Sequence, residues 1–101
     1  MISTRLDSEN KAVIQPVGQF TLASHREFNA ACKAPIENPA VREIQIDLGQ
    51  VDYMDSSSLG MLLLLQKNAT TAGKTVSLAN AKGAVLQALD IANFRQLFEI
   101  G

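Results

Sequence analysis

The chain has 101 residues, 47% of them apolar and 19% charged, with nine Lys and Arg against ten Asp and Glu for a formal net charge of −1. That balance suits one globular domain, residues 1–101, with a real core. The cations are scattered rather than clustered, which argues against nucleic-acid binding and against a polybasic membrane patch.

In chain order, residues 2–6 alternate weakly and suggest a short edge strand. Residues 11–17 suggest a stronger one, rich in β-branched residues, with Pro16 marking an edge, a bulge or an end and Gly18 a turn. A helix is predicted over 22–33, with Thr21 or Ser24 as its cap and Phe28, Ala31 and Cys32 on one face. Pro35 and Pro39 are expected to close it. Cys32 is the single cysteine, so no intrachain disulfide can form, and among Ala30, Ala31 and Ala34 it reads as a small buried residue.

Residues 43–48 alternate cleanly, placing Ile44, Ile46 and Leu48 on one face of a strand, with Val51 and Tyr53 near its end. A helix follows from Leu59 to about Thr71, ending before Gly73. Residues 75–79 form another strand, and Lys82 to about Ile91 a third helix. Phe94, Leu97, Phe98 and Ile100 cover the core as a last turn and a short terminal strand. Strands alternating with helices imply right-handed crossovers in a mostly parallel sheet, to which the two opening strands add an antiparallel edge. The longest apolar run, Met61 to Leu65, is far short of the roughly 20 residues of a spanning helix. No charged leader precedes an apolar run, so no signal peptide is expected and the protein reads as soluble and cytoplasmic.

The segment Tyr53-Met54-Asp55-Ser56-Ser57-Ser58-Leu59-Gly60 falls where a strand gives way to a helix. Open α/β sheets place ligand and partner sites at the carboxyl ends of strands. A helix N-terminus offers unpaired N–H groups and a partial positive charge, so a serine there can cap the helix or carry a phosphate. Four consecutive capping-type residues exceed what one helix start needs. Gly60, costly in a first turn, leaves space for a partner. Counting 100° per residue puts Leu59, Leu62, Leu63, Gln66 and Ala69 on the buried face and turns Met61 and Leu64 outward, as an apolar docking surface or as residues covered by a neighbouring element.

This segment resembles the hallmark of the STAS domain, and in particular of stand-alone bacterial anti-sigma factor antagonists: an apolar-Met/Ile-Asp-Ser-Ser/Thr-Gly-Leu-Gly motif at a helix start. The likeness extends over the Ile-Gln-Ile-Asp-Leu strand before it, the apolar helix after it and the Leu-Gln-Ala-Leu-Asp-Ile-Ala-Asn-Phe stretch near the end. It implies a STAS-type single α/β domain, with a mixed, mostly parallel sheet of four to five strands and about three helices. It further implies that Ser56 is phosphorylated by a GHKL-type partner that is both serine kinase and anti-sigma factor. The unphosphorylated form binds that partner, and a metal-dependent serine phosphatase resets the phosphorylated one. Asp55, Ser57, Ser58, Gly60, Met61 and Leu64 are the expected contact residues. Ser58 stands where the family usually has Gly, which adds a further candidate acceptor.

The same resemblance leaves a second role open, as a regulatory subunit of another system such as a lipid-transport ABC complex or a biofilm or stress regulator. Self-association as a weak homodimer is also open. An enzyme is not expected: His25 is the only histidine, with no acidic partner motif and no Gly-x-Ser-x-Gly elbow. No metal site and no cofactor is expected, and no Gly-rich phosphate loop is present.

Overall fold

A computed structural model of the chain describes residues 2–7 and 10–101. Strands β1 (Ile2–Leu6) and β2 (Lys11–Pro16) pair antiparallel, and Asn10, just before β2, takes a left-handed conformation at φ 64°. Next come β3 (Gly18–Phe20) and α1 (His25–Glu37), then β4 (Glu43–Asp47) and β5 (Val51–Met54). Helix α2 (Ser56–Thr71), β6 (Thr75–Ala79), α3 (Gly83–Ile91) and β7 (Glu99–Ile100) complete the chain. The main sheet runs β1-β2-β4-β6-β7, parallel throughout except for the β1–β2 edge.

The period-2 pattern decides which face is buried. Ala12 and Ile14 of β2, Ile44 and Ile46 of β4, and Val76 and Leu78 of β6 all point to one side and join one core with residues of all three helices. Phe28 and Cys32 come from α1, Met61, Leu62, Leu65 and Ala69 from α2, and Val85 and Leu89 from α3. Phe94 and Phe98 stack at 5.2 Å and join the same core. The apolar burial pushes the Cys32 thiol up to about 12, so it stays protonated at neutral pH.

Three features depart from the sequence expectations, and a fourth had no counterpart among them. Val51 and Tyr53 do not merely trail β4. They belong to β5, which pairs parallel with β3 as a separate two-stranded sheet. Helix α1 does not stop before Pro35 but runs through it to Glu37. A proline there removes one backbone bond. It falls near the helix end, and its ring is buried on the face that already carries Phe28 and Cys32. Helix α2 starts three residues earlier than expected, at Ser56. Lastly, Lys74 is buried, 8% exposed, and its ammonium donates to the carbonyls of Asn38 at 2.8 Å and Val41 at 2.6 Å. Those charge-assisted bonds tie the α1–β4 loop to the start of β6 and offset the cost of removing the ammonium from water.

Candidate functional site

The site grows out of the capping chemistry of α2. Strand β5 ends at Met54, buried in the core, and Asp55 follows in extended conformation as the N-cap. One carboxylate oxygen, Oδ1, accepts from the Ser58 N–H at 2.8 Å, the expected cap bond. The other, Oδ2, accepts from the Leu22 N–H at 3.1 Å, across 33 residues of chain. Asp55 therefore joins the start of α2 to the turn that leads into α1. The Ser58 N–H bond, followed by the Leu22 N–H bond, outweighs the opposing effect of burial and holds the Asp55 carboxyl below its ordinary value.

The three serines fare differently. Ser56, the first helical residue, is exposed, and Ser57 is half-buried. Ser58 is completely buried, and its hydroxyl donates to the Asp55 carbonyl at 2.7 Å. The expectation that Ser58 is a further candidate acceptor or a partner contact is thus corrected, because in this fold its hydroxyl is spent inside the first turn. Gly60 is exposed, and a Cβ added there would meet nothing within 4 Å. The domain itself does not require a glycine at that place.

The outward placement of Met61 is also corrected. Met61 is 7% exposed and belongs to the core, whereas Leu64 is 49% exposed. The inward stripe is Ser58, Met61, Leu62, Leu65 and Ala69, one residue out of step with the predicted face. Leu63, expected inside, is 39% exposed. Gln66 turns towards the C-terminal segment, where its amide donates to the Leu97 carbonyl. Met61 is covered because α1 lies alongside. The two helices leave a groove of about 330 Å³ between them, with Phe28, Cys32, Ile36, Met61 and Leu65 in it and Leu64 also among its lining.

Two exposed residues beside the serines were missed. Leu22 is 62% exposed and Tyr53 is 53% exposed. Tyr53 lies two residues before the cap and opens the motif, but was not among the expected contact residues. Leu22 carried no sequence signal, since only the fold brings it to Asp55. His25 pairs with Asn29 at 3.1 Å. Among the described residues no group of three or more His, Cys, Asp or Glu could hold a metal ion. No helix among them is long and apolar enough to cross a membrane.

A family model described as "Mlab, STAS domain" matches residues 4–99. The chain belongs to the STAS-domain family. It is 41% identical over 87 residues, 86% of this chain and 84% of the relative, to a STAS-domain containing protein of Pseudomonas aeruginosa strain UCBPP-PA14. Its fold matches that of the anti-sigma factor antagonist SpoIIAA in the unphosphorylated form, with a TM-score of 0.76 at 17% identity, covering 100% of this chain and 87% of that one. The phosphorylated form of the Bacillus protein gives the same TM-score of 0.76, at 16% identity over 100% and 91% of the two chains. A sulfate transporter family protein from Wolinella succinogenes shares the fold at a TM-score of 0.77 and 12% identity, covering 95% and 80%. The α/β architecture, its mixed five-stranded sheet and its three helices are those of the STAS fold.

Proposed function

We propose that this chain is an anti-sigma factor antagonist of the cytoplasm, a binding module rather than an enzyme, switched off by phosphorylation of Ser56. The observation that carries this reading is the sorting of the serines: of the three, Ser56 is exposed at the helix start while Ser58 is locked inside. SpoIIAA, which shares the fold, is an anti-sigma factor antagonist with unphosphorylated and phosphorylated forms.

In this reading a GHKL-type kinase, itself the anti-sigma factor, presents ATP to Ser56. The Ser56 Oγ attacks the γ-phosphorus and loses its proton, and ADP leaves. A metal-dependent phosphatase then directs water onto the phosphoester, restoring the hydroxyl and releasing inorganic phosphate. The phosphate adds about −1.5 to −2 of charge at a helix N-terminus, which tolerates it, so the domain stays folded and the change is felt at the interface. Asp55 fixes the segment, and Ser57, Gly60 and Leu64 are the remaining contacts on the accessible side.

The test is affinity capture from the native cell with the wild-type chain, Ser56→Ala and Ser56→Asp, followed by phosphosite mapping. Wild type and Ser56→Ala should retain a GHKL-type kinase, Ser56→Asp should not, and phosphate should map to Ser56. Retention of the kinase by Ser56→Asp as by wild type, with no phosphate on Ser56, overturns the switch. A second reading, a regulatory subunit of a transport system, draws support from the same fold in a sulfate transporter family protein. Capture of a transporter ATPase in place of a kinase decides for it.

A further inference from the structure

The strands that end a sheet expose backbone groups, and the edges of this molecule differ in how far they do so. β7 has two residues, and β3 and β5 of the small sheet have three and four. Edges this short offer little to pair with. β1 has five residues and ends the main sheet on the other side, with no strand beyond it among the described residues. It runs in unbroken register against β2 and holds no proline, lysine or bulge, the devices that commonly blunt an edge. Ser3 to Leu6 are all exposed.

The pairing with β2 decides which backbone groups of β1 stay open. In an antiparallel pair, alternate residues turn their N–H and C=O to the partner strand. The Asp7 N–H donates to the Lys11 carbonyl at 2.8 Å, so Asp7 and, at alternate positions before it, Arg5 and Ser3 face β2. Ile2, Thr4 and Leu6 therefore turn theirs to the open side. Two observations agree with this. Ile2 stands opposite Pro16, which has no N–H to give. The Ile2 N–H donates instead to Glu27 Oε2 at 2.8 Å.

We propose that β1 pairs with β1 of a second copy of this chain, antiparallel about a two-fold axis through Thr4, so that two five-stranded sheets run on as one. The strand is self-complementary in that register. Each Thr4 N–H meets the Thr4 carbonyl of the other copy, and each Leu6 N–H meets the Ile2 carbonyl. The Ile2 N–H stays with Glu27. Residues opposite one another across a ladder share a face, so Ile2, Thr4 and Leu6 lie on the side of Ala12 and Ile14. Leu6, 60% exposed, then lies against Ile2 of the second copy, a residue that packs on the core. Arg5 is the one charged residue within Ile2–Leu6, and it comes opposite Ser3 rather than its own counterpart, so no like charges meet. A pairing of this symmetry closes at two copies. It joins one short strand from each side, well below the roughly 1,200 Å² of a stable complex, so the dimer is weak. It uses no residue of the serine segment and does not rest on the reading of Ser56.

Sedimentation velocity of the full chain from about 10 μM to about 1 mM should show a dimer forming towards the upper end. Over that range the amide NMR signals of Thr4 and Leu6 should move most, because their N–H groups gain acceptors. Residue 4 faces itself across the axis, which allows a charge exchange. Thr4→Glu and Thr4→Lys sit at an exposed position and should melt with wild type. Each should weaken self-association by about threefold or more, and an equimolar mixture of the two should associate at least about fivefold more tightly than either alone. A chain that stays monomeric at about 1 mM overturns the proposal. So does a dimer in which the Thr4 and Leu6 signals stand still, since it then forms through another face, and so does a mixture no tighter than its two parts.

Discussion

Placing a carboxylate at each end of the serine cluster separates the two roles that the cluster combines. In Ser58→Asp the new side chain occupies a site with 0% exposure. It cannot repeat the serine's 2.7 Å donor bond to the Asp55 carbonyl, because an ionised carboxylate only accepts. An uncompensated buried charge costs about 3–5 kcal/mol. A domain of this size holds only about 5–15 kcal/mol in all, and each kcal/mol moves its melting temperature by about 4–8 °C. Ser58→Asp is therefore expected to melt about 15–30 °C below wild type. Ser56→Asp puts the same charge on an exposed first-turn position, where the helix dipole offsets repulsion from Asp55, and should stay within about 5 °C. Thermal unfolding followed by circular dichroism measures both. A Ser58→Asp variant melting within about 5 °C of wild type would refute the burial argument and return Ser58 to the list of acceptors.

Met61→Ala should lose about 2–4 kcal/mol of stability in urea unfolding, while Leu64→Ala, one turn on and half exposed, should lose less than about 1 kcal/mol. Equal losses would mean that α2 is rotated from the orientation described. Gly60→Ala should gain about 0.5–1 kcal/mol, since the added methyl meets nothing and the helix is better for it, yet it should weaken partner binding; a variant both more stable and equally tight shows that no partner approaches there. The pH dependence has a definite sign. Hydrogen bonds hold Asp55 below its ordinary value, and at Asp47 bonds from Asn80, Gly49 and Gln15, with the nearby Arg5 charge, outweigh the effect of burial. In both, the folded form binds protons less readily than the unfolded chain, so their stabilisation is complete above the usual carboxylate range near about 4 and is lost as the pH falls through and below it. Acid unfolding of Asp47→Asn should accordingly be flatter with pH than that of wild type below about pH 4; an unchanged slope refutes this account.

Sequence was most informative where one local period governs the structure. The alternation in Glu43–Asp47 announced which residues face the core, and Ile44 and Ile46 are both fully buried. It was least informative where structure depends on distant partners or on an ambiguous pattern. Five consecutive apolar residues, Met61 to Leu65, give α2 no contrast between its faces. Its rotation is decided by α1 on one side and the C-terminal segment on the other. Strands of three and four residues, such as β3 and β5, are too short to show a period, and each depends on the other for its hydrogen bonds. The burial of Lys74 required two carbonyls from a loop more than 30 residues away. At the candidate site the motif was legible as helix-start chemistry. The inner role of Ser58 and the bond from Leu22 to Asp55 were not, because both follow from atoms that meet only in the folded chain.

Those two bonds change what the acidic residue of the motif does. A capping aspartate with one free oxygen could meet a partner directly. Here both oxygens accept backbone N–H groups, one from each side of the site. The carboxylate is thereby a joint between two elements before it is a contact. An asparagine at position 55 keeps one carbonyl oxygen and so cannot repeat both charge-assisted bonds with its own acceptor. It can cap α2 or hold the Leu22 turn, and the geometry of Ser56 relative to Leu22 is set only when both are held. One side chain therefore ties together the end of a strand, a turn and the start of a helix at Ser56.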